Sequence, residues 1–305
     1  RGYDKKMAMG PIMAIGGVDM LIPPSGLAVL LGGLAGISIS DLLIAGIIPG
    51  LALAAVFIAY IIFRAWMNPA LAPADESIAN EQGWQRWGPF VAHVLPLGVI
   101  IGLVIGSMVA GWATPTESAA VGCVATALVA ACYREFTFKA LKASLMGTAA
   151  VTGMIMFIIL GATTFSQILA FSGATSGLIS LVTEAKLGPT SVILGMITIL
   201  LFLGLFVDQA SIMMLTVPLF MPLVKTLGID PVWFGILFLV CMQIGLLSPP
   251  FGLLLFTMKA VAPPEVTMNE IIAAAMPYMA FGVLLVVAIL FFPGIATWLP
   301  TVLGR

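Results

Sequence analysis

The segment Phe206-Val207-Asp208-Gln209-Ala210-Ser211 places one carboxylate between two apolar runs, 189–206 and 211–224. Each run is too short to cross a bilayer, which takes about 20 residues. An ionisable group at such a depth is costly and marks a path for ions or polar solutes. Ser211, three residues on, faces the same point as Asp208 on a helix. The spacing also suits Asp208 as the N-cap of the run 211–224, and the two roles are compatible. A second chemistry sits at paired prolines, Pro23-Pro24-Ser25-Gly26 and Ser248-Pro249-Pro250-Phe251-Gly252. Proline removes a backbone donor and ends a helix. The carbonyls so freed are tolerated at membrane depth only inside protein or at an aqueous cavity. With the hydroxyls of Ser25 and Ser248 they are hard oxygen ligands suited to Na⁺. Gly26 and Gly252 let the backbone approach closely. A plain kink satisfied by neighbouring helices is the simpler account of one such break. Two breaks at matching places favour the site.

Thr114-Pro115-Thr116-Glu117 has the spacing of a capping box with proline at the first helical position. Glu117 either only satisfies that cap or adds a polar element near a pathway. Asp19, about one turn before Pro23, is open to a place in the ion site or to local pairing. With Gln209 at the tip, Thr114, Thr116, Glu117 and Asp19 form the candidate pathway set.

Apolar helices must position these groups. Of 305 residues, 61% are hydrophobic and 8% charged, against about 25% charged in soluble domains. A chain of this length cannot hide that much apolar surface from water, so the bilayer is its solvent. The net charge of −1 gives no basic field for nucleic acid. Three cysteines and one histidine, His93, support neither a zinc site nor a disulfide framework. His93 reads as an interfacial or packed residue. No H-E-x-x-H or G-x-S-x-G motif points to an enzyme.

The runs 41–63, 90–112, 116–133, 145–171 and 269–292 are long enough to span. The run 7–35 is broken at Pro23-Pro24, and 231–262 at Pro249-Pro250. The region 189–224 reads as a re-entrant hairpin with its tip at Asp208. Residues 64–89 form a polar loop carrying Asp75, Glu76, Glu81 and Arg86, with Trp84 and Trp87 suited to an interface. Gly98, Gly102 and Gly106 recur every four residues, which predicts close helix packing. No signal peptide is visible, and the opening at Arg1 predicts a fragment whose N-terminal part lies outside this chain.

Residues 1–26 align with 227–252 without a gap. Gly2 meets Gly228, Asp4 meets Asp230, Pro23 and Pro24 meet Pro249 and Pro250, and Gly26 meets Gly252. Two residues are then inserted, and Asp41 meets Asn269 while Pro49 meets Pro277. Counting crossings gives the two segments opposite orientation. Inverted repeats with broken helices at matching places are the sequence pointer to an alternating-access transporter. The expected organisation is the remainder of a first repeat over 1–63, a cytoplasmic loop over 64–89 and a second repeat over 90–305. Arg1, Lys5, Lys6, Arg64, Arg86, Arg134, Lys139, Lys142 and Lys259 fall on one side of the membrane. Lys186, Lys225 and Arg305 fall on the other. The positive-inside rule makes the first side cytoplasmic.

At RGYDKKMAMG, LIPPSG, SISDLLIAGIIPGL, GWATPTESAAVG, VDQAS, GIDPVWFG and GLLSPPFG the sequence resembles the large membrane subunit of tripartite ATP-independent periplasmic (TRAP) transporters. The motifs stand in that family's order and cover essentially the whole chain. The resemblance implies an all-α, elevator-type membrane protein in the bacterial inner membrane. It would work as a Na⁺-coupled importer of organic acids such as C4-dicarboxylates or sugar acids. Its partners would be a small membrane subunit and a periplasmic substrate-binding protein. Carried over, Asp208, Ser211, Ser248, Pro249, Pro250 and Gly252 would form one cation site. Pro23, Pro24, Ser25 and Gly26 would form half of another, completed by a hairpin that precedes Arg1 in the family. No cofactor is implied beyond Na⁺ as coupling ion. Asp19 stands where the family is usually apolar, and Ser248 where threonine is commoner. Without the first hairpin the fragment alone is not expected to transport. A stand-alone Na⁺/divalent-anion symporter is the alternative reading; an intramembrane enzyme or passive channel fits the motifs less well.

Overall fold

A computed structural model describes residues 3–73 and 83–303, with the side chains of 85 and 86 excepted. The sequence expectations that involve Arg1, Gly2, Asp75, Glu76, Glu81, Arg305 and the side chain of Arg86 lie outside the described residues.

The described residues form α-helices and one 3₁₀ turn, with no strand among them. In chain order the helices are α1 (Lys5–Val18), α2 (Gly26–Ala35) and α3 (Ile39–Met67). The 3₁₀ turn Pro69–Leu71 follows, and then α4 (Trp84–His93), α5 (Leu95–Val109), α6 (Pro115–Cys132) and α7 (Phe138–Phe171). After these come α8 (Ala174–Glu184), α9 (Pro189–Gly204), α10 (Gln209–Thr226) and α11 (Pro231–Leu247). The last three are α12 (Leu253–Val261), α13 (Met268–Phe291) and α14 (Gly294–Val302). Among the described residues five helices are long and apolar enough to cross a membrane, or six if the bent pair α4–α5 counts as one span; one of the five is α10, which begins at Gln209 and reaches 18 residues, so the expectation that this half of the hairpin is too short to cross does not hold by length. The chain is therefore an all-α polytopic membrane protein.

Two compact units share the chain, one of Asp4–Met67 and Met156–Arg305, the other of Arg1–Tyr3 and Asn68–Ile155. The larger is organised around α11, whose residues Phe234 to Leu247 are all buried. A helix apolar on every side belongs in a core, and here α1, α3, α9, α10 and α13 pack on it. Leu42, Ile44, Leu200, Ile212, Met213, Phe234 and Phe238 are almost wholly enclosed. Against lipid, such contacts gain little from hydrophobicity and hold by close packing.

Glycines set that packing. A Cβ on Gly46 of α3 would lie 2.2 Å from the carbonyl oxygen of Leu21, in the loop between α1 and α2. One on Gly50 would lie 2.5 Å from Ile22 Cγ1. The first break thus lies against a glycine face of α3. The first half-helices of both broken elements begin alike. Asp4 accepts from the Met7 amide at 2.9 Å, and Asp230 from the amides of Val232 and Trp233 at 2.7 and 3.0 Å. Both Pro-Pro peptide bonds are cis.

In the smaller unit α5 packs on α6. Ser107 Oγ donates to Ser118 Oγ at 3.0 Å, and a Cβ on Gly122 would meet Val104 Cγ2 at 2.8 Å. The Tyr133 hydroxyl donates to the Ala92 carbonyl. Two expectations change here. The single span over 90–112 is two helices bent by 41°, because Pro96 near the start of α5 cannot donate back to the preceding turn. The packing expected at Gly98, Gly102 and Gly106 is not seen among the described residues: a Cβ at each would meet nothing within 4 Å. Glycine spacing carries no information about which neighbour is present.

Candidate functional site

The hairpin formed by α9 and α10 meets the break between α11 and α12. Gly204, last residue of α9, and Gly245, in the last turn of α11, touch backbone to backbone. A Cβ on either would lie 3.0–3.1 Å from the other's Cα. The amide of Phe251, just past the paired prolines, donates to the carbonyl of Leu205 at the tip (3.1 Å). Gly252 is wedged against the break itself, for a Cβ there would lie 2.9 Å from the Ser248 carbonyl and 3.0 Å from that of Leu246. The tip and the break thus enclose a cavity of about 30 Å³, lined by Gly204, Val207, Asp208, Gln209, Gly245, Phe251, Gly252 and Leu253. A single water needs about 10–15 Å³ by the same kind of measure, so the space suits one small ion or water.

Of the candidate cation residues, the structure brings Asp208 and Gly252 to this cavity, and with them Gln209 from the pathway set. Ser211, Ser248, Pro249 and Pro250 stand beside it rather than on its wall. Asp208 is the N-cap of α10: its Oδ2 accepts from the Ser211 amide at 3.0 Å and its Oδ1 from Ser211 Oγ at 2.5 Å. A carboxylate has about four lone-pair sites, so both oxygens keep acceptor capacity. Gln209 is the buried member of the tip, 8% exposed. Ser248 Oγ donates to the Ile244 carbonyl at 2.8 Å, which leaves its oxygen lone pairs free as ligands. No side chain caps α12, so the Leu253 and Leu254 amides remain available beside the cavity, while the Leu255 amide donates to the Gly252 carbonyl at 2.9 Å.

The first break differs in detail. Ser25 Oγ donates to the Met20 carbonyl (2.8 Å) and accepts from the Ala28 amide (3.2 Å), capping α2. Its place follows Pro23-Pro24, whereas Ser248 precedes Pro249-Pro250, so the two serines are not equivalent. Gly26 opens α2 with open space around its Cβ position. Asp19 ends α1 and is exposed.

In the smaller unit, Thr114 and Glu117 complete their capping box. Glu117 Oε2 accepts from the Thr114 amide (2.7 Å) and hydroxyl (2.8 Å), and the Glu117 amide donates to Thr114 Oγ1 at 3.4 Å. Thr116 is exposed on the first turn of α6.

Among the described residues no three His, Cys, Asp or Glu side chains cluster as a metal site. Asp208 is the one carboxylate among the described residues that line the tip cavity. Gly204, Gly245 and the Leu205 carbonyl went unremarked in the sequence. Isolated glycines inside apolar helical runs, each a few residues from a break, are the signal that would have found the first two.

An all-α membrane chain whose hairpin tip closes on a broken helix is a polytopic membrane protein with a candidate small-ion site at that junction. The family described as "Tripartite ATP-independent periplasmic transporter, DctM component" matches residues 1–295. The chain is 33% identical to the C4-dicarboxylate TRAP transporter large permease protein DctM of Pseudomonas aeruginosa, over 99% of this chain and 69% of that protein. It is 32% identical to the ectoine/5-hydroxyectoine TRAP transporter large permease protein UehC of Ruegeria pomeroyi, over 98% and 68%. To the sialic acid TRAP transporter permease protein SiaT of Haemophilus influenzae it is 29% identical, over 99% and 48%. The chain belongs to the DctM family of TRAP transporter large permeases, which are transporters and not enzymes.

Proposed function

We propose that this chain is the permease subunit of a Na⁺-coupled importer of organic acids in the bacterial inner membrane. It would be supplied by a periplasmic binding protein and accompanied by a small membrane subunit. The observation that carries the reading is the cavity of about 30 Å³ where Asp208 meets the Pro249-Pro250 break. A Na⁺ ion held there by Asp208 and break carbonyls draws the tip and the break together. That closure orders the uncapped N-terminus of α12, whose free amides and positive dipole end attract a carboxylate. C4-dicarboxylates, ectoine and sialic acid, named for three relatives, each carry at least one carboxylate. The elevator-type movement of the repeat carrying this site completes import.

The test is uptake into proteoliposomes by the full-length permease with its small subunit, an inward Na⁺ gradient and binding proteins charged with candidate carboxylates. Uptake that needs both Na⁺ and the binding protein is expected. Uptake without Na⁺ dependence removes the cation site on which the reading rests.

A further inference from the structure

A second cavity, of about 50 Å³, lies where the N-terminus of α1, the C-terminal end of α3 and the proline turn of α13 meet. Its polar walls are Lys6, Tyr60, Arg64 and Tyr278. Among the described residues no acidic side chain lines it. The Arg64 guanidinium is pre-oriented: Nη1 donates to Tyr60 Oη at 3.1 Å, and the group lies 5.8 Å from that ring's centroid. One of its five donors is spent there. Tyr60 is fixed in turn by an edge contact with Tyr278, with centroids 5.6 Å apart at 88°, and Tyr278 is only 3% exposed. Among the described residues no carboxylate lies within ion-pair distance of Lys6 or Arg64. Glu270 is an acidic group in electrostatic reach of Lys6. Its carboxylate is folded onto its own cap, accepting from the Thr267 amide (2.8 Å) and hydroxyl (3.0 Å).

The internal repeat supplies a control. In the register that pairs Pro23 with Pro249, Lys6 meets Val232 and Met7 meets Trp233. In the register that pairs Pro49 with Pro277, Tyr60 meets Ala288, Arg64 meets Phe292 and Tyr278 meets Gly50. The counterpart positions are apolar, and the Trp233 indole there donates to the Ile289 carbonyl at 3.0 Å. The fold therefore does not require two cations and two phenols at this junction.

We propose that Lys6, Arg64, Tyr60 and Tyr278 form a binding site for a phosphate-type oxyanion, distinct from the hairpin-tip cavity. Arginine offers a fork of donors that matches a phosphate, and lysine adds a point charge. Helix ends lie at headgroup level, so the oxyanion is either a lipid phosphate or free phosphate from solution.

The full chain in nanodiscs of mixed phosphatidylglycerol and phosphatidylcholine, analysed by native mass spectrometry, separates the two sources. Inorganic phosphate titrated onto delipidated protein, followed by thermal shift, is the second arm. Each cation near a membrane surface contributes about fivefold in affinity. Lys6→Gln should lower retention of the bound oxyanion about fivefold, and Lys6→Gln with Arg64→Gln about 25-fold. Lys6 is exposed and its side chain makes no hydrogen bond among the described residues, so the single variant keeps the test open if the double variant does not fold. Loss of phosphatidylglycerol retention assigns the lipid headgroup. Loss of phosphate protection with unchanged lipid retention assigns the free ion. Retention and protection that ignore both variants overturn the site.

Discussion

Asp208 caps α10 through two bonds from Ser211, and any cation it holds shares those same oxygens. Substitution separates the two duties. Asparagine caps nearly as well as aspartate, whereas alanine loses about 1 kcal/mol. Asp208→Asn should therefore melt with the parent, yet need at least about tenfold more Na⁺ for half-maximal transport, since even 1.4 kcal/mol of lost charge attraction gives that factor. Asp208→Ala should lose both cap and Na⁺ response. An Asp208→Asn variant with unaltered Na⁺ dependence would leave Asp208 as a cap alone. Gln243 presents the opposite case. It is fully buried in α11, and neither its Oε1 nor its Nε2 has a partner among the described residues. It packs on Gly17, its own counterpart in the repeat, where a Cβ would lie 2.7 Å from Gln243 Cγ. A buried unsatisfied amide costs about 1–3 kcal/mol. Gln243→Leu, of similar volume, should raise the melting temperature of the purified protein. A fall would show that the amide is bonded in the membrane.

At the level of elements, the breaks were legible and their seats were not. Proline chemistry is local: a Pro-Pro pair removes two donors wherever it stands, so Pro23-Pro24 and Pro249-Pro250 announce their breaks without help from neighbours. A glycine stripe announces only the absence of side chains. Gly98, Gly102 and Gly106 have the regular spacing and face open space, while Gly46 and Gly50, spaced identically, hold the first break. The difference is which helix lies opposite, and that is settled by tertiary packing. Gly46→Ala should accordingly push Leu21 away from α3 and cost about 1–3 kcal/mol, as overpacking does. Gly102→Ala should be neutral or slightly stabilising, because alanine is the better helix former by about 1 kcal/mol. Thermal denaturation of the two variants side by side checks this. Equal effects would contradict the seat assigned to the break.

Across the whole molecule, sustained apolar runs located the long helices. The sequence missed α8 and α14, which are too short for a span and are interrupted by Ser and Thr or by Pro300. It also started α7 late, because Lys139 and Lys142 interrupt apolarity although Thr137 caps the helix there, accepting from Ala140 at 3.2 Å. Those two lysines nevertheless carry information about orientation. Together with Arg134 they would place the turn before α7 on the cytoplasmic side under the positive-inside rule, and the crossing count would then put the turn before α9 outside. Both turns are exposed, so the assignment can be read by thiol labelling. In a background with Cys123, Cys132 and Cys241 replaced by serine or alanine, Leu187→Cys should react in intact cells with a membrane-impermeant maleimide. Glu135→Cys should react only after permeabilisation. Labelling of both from outside would place the two turns on one face. The hairpin could not then enter from the side opposite Lys139 and Lys142, and the opposed orientation of the two broken helices, on which alternating access depends, would be lost with it.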